Sequence, residues 1–216
     1  MEKPIIATNL VGLFIKREAW DNAHILWYEN AAKKLKDKSV LKWAGRQDYF
    51  KGVDDVMQRL YPSLDDKQRT IKARQMFFES VIDNINKNPS LKNKENVEYF
   101  NSLKTKYRLA LITSNTKPAL EKILFATKLS KLFDIVEASE ESEKDDKTAV
   151  FDRFIKKYGK PLIYIGGSKK ESYDYCKEKS IPKIFVNLEK EEETEGKGTE
   201  SVHSLKELKE KIESFQ

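Results

Sequence analysis

The chain has 216 residues, 39% hydrophobic and 35% charged, with 41 Lys and Arg against 35 Asp and Glu for a net charge of +6. That length carries one sizeable core or a core with a smaller inserted unit, and the clustered, periodic apolar residues exclude a disordered chain. The basic excess is interspersed with acids rather than gathered into a stripe with aromatics, which disfavours nucleic acid as a partner, and the single cysteine, Cys176, excludes an internal disulfide and a thiolate metal cluster.

The first residues do not have the form of a signal peptide, and no apolar run reaches the length of a membrane span, so a cytoplasmic protein with no membrane partner is expected. Residues 4–14, PIIATNLVGLF, read as a short buried strand that ends in a polar tip at Thr8-Asn9 and passes through Val11 to Gly12. From about 19 to 106 the pattern becomes helical, with apolar residues at helical spacing, acids near helix starts and lysines near their ends, broken at Pro62 and Pro89. The aromatics of this stretch (Trp20, Trp27, Tyr28, Trp43, Tyr49, Phe50, Phe77 and Phe78) are expected mainly as helical core, some of them facing a cleft.

After Tyr107 strands and helices alternate. RLALITSN is a strand with a polar end and KPALEKILFATKL a helix with Pro118 in its first turn. FDIVEA is a strand, and KTAVFDRFIKKYG a helix stopped by Gly159. PLIYIGGS, PKIFVNL and the helix between them follow. The charged tract over roughly 189–200 reads as a solvated loop, and a last helix is capped by Ser204.

This order predicts an α/β fold: a Rossmann-like parallel sheet with helices on both faces, its first strand central, carrying an inserted all-α unit. The expected division is a core of 1–18 and 107–216 and a helical cap of 19–106. Ligands of such sheets bind beyond the carboxyl ends of the strands, which singles out Asn9, the Thr113-Ser114-Asn115 tip and the Gly166-Gly167-Ser168 tip.

With these strand ends in this order, the chain resembles the haloacid dehalogenase superfamily, mostly magnesium-dependent phosphatases, over nearly its whole length. In that family the first strand ends in Asp-x-Asp-Gly, the first Asp attacking phosphorus and the second acting as acid/base. Here Asn9 and Val11 hold those positions, before a retained Gly12. The resemblance implies Thr113, in LALITSN, as the hydroxyl that meets the phosphoryl group, and Lys147, in DDKTAVF, as the lysine at a helix start, with Thr148 in place of the proline that often follows. In the fourth motif IYIGGSKKES keeps Gly166 and Ser168 but offers Gly167 and Glu171 for the two metal-binding aspartates.

A carboxylate forms an acyl phosphate and is a hard oxygen ligand for Mg²⁺. Asn9 cannot do the first, Val11 moves no proton, and Gly167 brings no side-chain ligand. The expectation is therefore a degenerate member, a pseudoenzyme with no catalytic residue and no metal or other cofactor. Asn9, Thr113, Ser114 and Lys147 would bind a phosphate-like anion or small phosphorylated metabolite in a pocket left net positive without the metal, or the fold would serve a protein partner. The alternative is an active hydrolase of small phosphorylated metabolites, using Mg²⁺ with Asp145, Asp146 or Glu171. Plainer readings stand beside these. Asn9 serves equally well as a turn residue, Thr113 and Ser114 as a helix cap before Pro118, and Glu171 as an acid favoured by the helix dipole. His24 and His203 stand in unrelated contexts, which speaks against a Ser-His or Cys-His pair, and Cys176 reads as a buried helical residue.

Overall fold

The run after Pro4 forms β1 (Ile5–Thr8), fully buried, in a computed structural model that describes residues 2–45, 48–141, 143, 147–167, 170–189 and 201–215. Asp145, Asp146, Ser168 and, apart from Glu189, the loop expected over roughly 189–200 lie outside these residues. The remaining strands are β2 (Arg108–Thr116), β3 (Ile135–Ser139), β4 (Ile163–Gly166), β5 (Lys183–Val186) and β6 (Ser201–Val202). They pair in parallel in the order β3-β2-β1-β4-β5-β6, so β1 is central, as expected. The edge strand β6 is not foreseen from the sequence, because two residues are too short to show an alternation.

Side chains along the strands divide by parity between the two faces. Ile6, Leu109, Leu111, Ile163 and Ile165 join one apolar cluster. Ile5, Ala7, Ala110, Ile112 and Tyr164 join the other. Helices cover both faces, as a parallel sheet buried on both sides requires. α5 (Lys117–Ala126) and α8 (Leu205–Glu213) supply Leu120, Ile123, Leu208 and Ile212 to the first cluster. α6 (Thr148–Tyr158) and α7 (Lys170–Glu178) supply Phe151, Phe154, Tyr175 and Cys176 to the second. Gly159, at φ +80°, ends α6, and Ser204 caps α8 by accepting the Glu207 N–H at 3.2 Å. Burial pushes the Cys176 thiol up to about 12, which suits a packing residue rather than a nucleophile.

Between β1 and β2 run α1 (Glu18–Leu35), α2 (Tyr49–Leu60), α3 (Asp66–Lys87) and α4 (Lys94–Leu103). Pro62 follows α2 and Pro89 follows α3. A capping box opens α3: Asp65 accepts the Gln68 N–H at 2.7 Å, and Gln68 Oε1 accepts the Asp65 N–H at 3.1 Å. Trp27, Tyr28, Val40, Tyr49, Val56, Met57, Ala73 and Met76 form a third apolar cluster, away from the sheet. α1 and α3 pass through both this cluster and the sheet-side one, to which they give Ala19, Ala23, Phe78, Val81 and Ile85; the buried apolar residues of α4, Phe100 and Leu103, belong to the sheet side. No helix among the described residues is long and apolar enough to cross a membrane.

One tie within the helical segment titrates. Asp37 accepts the Ser39 N–H at 2.8 Å and the Arg59 guanidinium at 2.6 Å. The Arg59 hydrogen bond, then the two from Ser39, lowers its carboxyl from 3.8 to about 2. Because the folded value lies below the unfolded one, this stabilisation is fully present above pH 3.8 and is lost as pH falls through about 2. A carboxyl NMR titration should place the Asp37 midpoint near 2, and Arg59→Ala should return it toward 3.8.

Candidate functional site

The last residue of β1, Thr8, pairs with Leu111 on one side and Ile165 on the other, while β2 runs on to Thr116 and β4 to Gly166. Asn9 therefore emerges at the carboxyl edge of the sheet, where its N–H donates to Ile165 O at 2.9 Å. The chain then turns at Gly12, whose φ of +78° favours glycine, and the Gly12 N–H closes on Ile15 O at 2.8 Å. Chain order reverses beside β1, the place where open α/β sheets bind ligands.

A cavity of about 930 Å³ lies over this edge. Its floor is made of strand-end residues and helix starts: Asn9, Val11, Thr113, Ser114, Asn115, Lys147 and Glu171. Its walls come from α1, α2 and α3 and are rich in rings, with Trp20, His24, Tyr49, Phe50, Phe77 and Phe78. Of the residues singled out from the sequence, Asn9, Val11, Thr113, Ser114, Asn115, Lys147 and Glu171 are thus brought together, Glu171 from the first turn of α7, while Gly166 and Gly167 are not part of the lining. His24, Arg17, Arg69 and Arg74 are wall residues that sequence reasoning missed. No local signal could have found the arginines, since their position depends on how α1 and α3 lie over the sheet edge. Asn115 was legible only as part of its strand tip.

At the centre of the floor, Lys147 at the start of α6 is 4% exposed and Asn9 6%. Lys147 Nζ donates to Asn9 Oδ1 at 3.1 Å and to the Tyr164 hydroxyl at 3.2 Å. Asn9 Oδ1 also accepts the Leu10 N–H at 2.8 Å, and Asn9 Nδ2 donates to Val11 O at 3.2 Å. Both ends of the Asn9 amide are thereby used. Burial pushes the Tyr164 phenol up, which keeps it neutral as a partner for the ammonium. Next to Asn9, a side chain at Gly166 would meet the Tyr164 hydroxyl at 3.0 Å and Asn9 Cβ at 3.1 Å. A Cβ at Gly167 would meet Val11 O at 3.3 Å and Val186 O at 3.4 Å, a tight fit.

At the end of β2, Thr113 Oγ1 accepts the Asn115 N–H at 3.1 Å, leaving its own hydrogen to donate. The helix that follows is capped at Thr116, so Thr113 and Ser114 do not serve as its cap residues. Asn115 is 7% exposed, and its Nδ2 has no hydrogen-bond partner among the described residues.

Arg74 of α3 reaches across to three backbone carbonyls: Ser114 at 3.1 Å, Glu141 at 3.4 Å and Glu143. Burial raises the Glu143 carboxyl, but the hydrogen bonds from Arg153, the Glu140 N–H and the Ser139 hydroxyl outweigh it and hold it below the usual range. The lining carries Arg17, Arg69, Arg74 and Lys147 against Asp21, Asp54, Glu143 and Glu171. Among the described residues, then, the cavity as a whole is charge-balanced rather than net positive as expected from the sequence: Glu143 and Glu171 outnumber Lys147 at the strand ends, and the walls set Arg17, Arg69 and Arg74 against Asp21 and Asp54. Among the described residues, too, no three His, Cys, Asp or Glu side chains converge as metal ligands.

Sequence comparison with curated proteins finds no match. Solved structures do resemble the chain, at identities that speak for the fold alone. A hydrolase, haloacid dehalogenase-like family protein from Streptococcus pneumoniae superposes with a TM-score of 0.64 at 15% identity, covering 99% of both chains. A HAD phosphatase from Thermococcus onnurineus gives 0.63 at 14% identity over 98% of each. The β-phosphoglucomutase of Clostridium difficile gives 0.60 at 16% identity, covering 100% of this chain and 97% of that one. The sequence family described as haloacid dehalogenase-like hydrolase matches residues 26–186, from within α1 to the end of β5. With well over half of its length matched, the chain belongs to the haloacid dehalogenase-like hydrolase family.

Proposed function

We propose that this protein is a family member that binds a phosphate-like anion or a small phosphorylated metabolite without hydrolysing it, and that residues 19–106 act as a cap over the site. One observation carries the reading: Lys147 Nζ lies 3.1 Å from Asn9 Oδ1, both side chains buried. On the family pattern Asn9 stands where a carboxylate would attack phosphorus, yet its amide is neutral and already hydrogen-bonded at both ends. Val11 offers its carbonyl to that amide and has no side-chain group to move a proton.

The donors do not fit Mg²⁺ either. Among the described residues at the strand ends they are one amide oxygen, engaged by an ammonium, Glu143, tied to Arg153, and Glu171, while Gly167 contributes no side chain; Mg²⁺ demands a near-octahedral set of hard oxygens. An anion instead finds the Lys147 ammonium, the Thr113 hydroxyl and the Asn115 amide on one floor, donors of the charge-assisted kind that hold phosphate. Their local placement supports anion binding; the charge of the cavity as a whole does not. Turnover through Glu171 is the competing reading, favoured by its place in the cavity lining.

Calorimetric titration with inorganic phosphate in EDTA should show saturable binding that added Mg²⁺ leaves unchanged. Lys147→Met should weaken it by about tenfold or more, as losing a hydrogen bond from a charged donor does. Absence of heat with and without Mg²⁺ rejects the proposal, and binding that appears only with Mg²⁺ favours the hydrolase.

A further inference from the structure

The cavity, at about 930 Å³, lies at the upper end of the roughly 300–1,000 Å³ range of small-molecule pockets, far more than one phosphate fills. Its two sides differ in chemistry. On the floor, Asn115 is buried with an unpartnered Nδ2, a costly arrangement that a ligand oxygen would relieve. The facing wall presents rings. His24 lies 4.7 Å from Tyr49 and 4.8 Å from Phe77 between ring centroids, and Trp20 lines the same wall. Phe50 packs edge-on against Tyr49 at 5.0 Å and is 74% exposed, although it lines the cavity.

Resting on the anion-binding reading above, we infer that the ligand is a phosphate monoester whose organic part carries a flat aromatic or heteroaromatic ring. Its phosphate lies on Lys147 and Asn115, and its ring lies against the Trp20, Phe50 and Phe77 wall. Flat rings gain offset-stacked and edge contacts there.

The test titrates the protein in EDTA with adenosine 5′-monophosphate, ribose 5-phosphate and inorganic phosphate. The ring-bearing monophosphate should bind about tenfold or more tighter than ribose 5-phosphate, the low end of what stacking one base on aromatic side chains gives. Phe50→Ala, at a largely exposed position, should reduce that advantage without changing ribose 5-phosphate binding. Asn115→Ala should weaken all three by a similar factor. Equal affinity for adenosine 5′-monophosphate and ribose 5-phosphate overturns the ring inference and leaves the anion reading standing. Failure of all three to bind overturns the anion reading, and this inference with it.

Discussion

In the presence of Mg²⁺ the unmodified protein is expected to hydrolyse p-nitrophenyl phosphate no faster than the buffer blank. Removing a nucleophile from a catalytic unit costs on the order of 10⁶ in kcat where such losses have been measured. On the proposed reading, Val11 stands at the acid/base position and Gly167 at a metal-ligand position, so two further groups would be absent. Asn9→Asp with Val11→Asp should still give only the blank rate. It supplies two carboxylates, but the one at residue 9 falls beside Lys147 Nζ, which already lies 3.1 Å from the residue 9 oxygen, and the variant loses the Asn9 Nδ2 hydrogen bond to Val11 O. Adding Gly167→Asp completes an oxygen set, and Mg²⁺-dependent turnover should first emerge in this triple variant. Its yield is limited by the backbone oxygens of Val11 and Val186, at 3.3 and 3.4 Å from the new Cβ, since neither can withdraw far without disturbing the loop after β1 or the end of β5. Hydrolysis by the unmodified protein that persists after Glu171→Ala, Asp145→Ala and Asp146→Ala would defeat this account of the site.

Much of this arrangement is legible in the sequence because it depends on period and order. Alternation within β1 and β2 assigns Ile6, Leu109 and Leu111 to one face and Ala7, Ala110 and Ile112 to the other. Parallel topology then brings strand ends together, which is how Asn9 and Lys147 meet although 138 positions separate them. What the sequence hides depends on packing between helices and sheet. Arg74 sits in α3 among other charged residues, and only the lie of that helix over β2 carries its guanidinium to Ser114 O. His24 is one turn along α1 from Trp20, and its place in the cavity wall follows from Tyr49 and Phe77 packing beside it. Charge balance in the cavity is hidden for the same reason: Asp21, Asp54, Arg69 and Arg74 belong to helices whose facing is set by packing.

The largest effect on stability is expected from Trp27→Ala, and its distribution along the chain tests the proposed cap. Trp27 is fully buried. Its ring lies edge-on to Tyr28 at 4.7 Å and to Tyr49 at 5.5 Å, and its indole N–H donates to Ala73 O at 3.3 Å. Truncation removes one of the largest side chains of the third cluster and the hydrogen bond that ties α1 to α3, a loss of about 3–5 kcal/mol for a Trp-to-Ala change in a core. Native-state hydrogen exchange should show that loss in α2, the second half of α1 and the first half of α3, with β1, β2 and β4 keeping their protection. Phe14→Ala supplies the contrast: its ring meets Phe100 at 5.0 Å and Phe133 at 5.3 Å in the sheet-side cluster, so protection should fall across the sheet. Equal loosening of both regions by Trp27→Ala would mean that the third cluster does not open apart from the sheet, and the proposed cap would fail. Because Tyr49 both packs on Trp27 and lines the cavity, the same variant should weaken binding of a ring-bearing phosphate more than binding of inorganic phosphate, whose contacts lie on the strand-end floor.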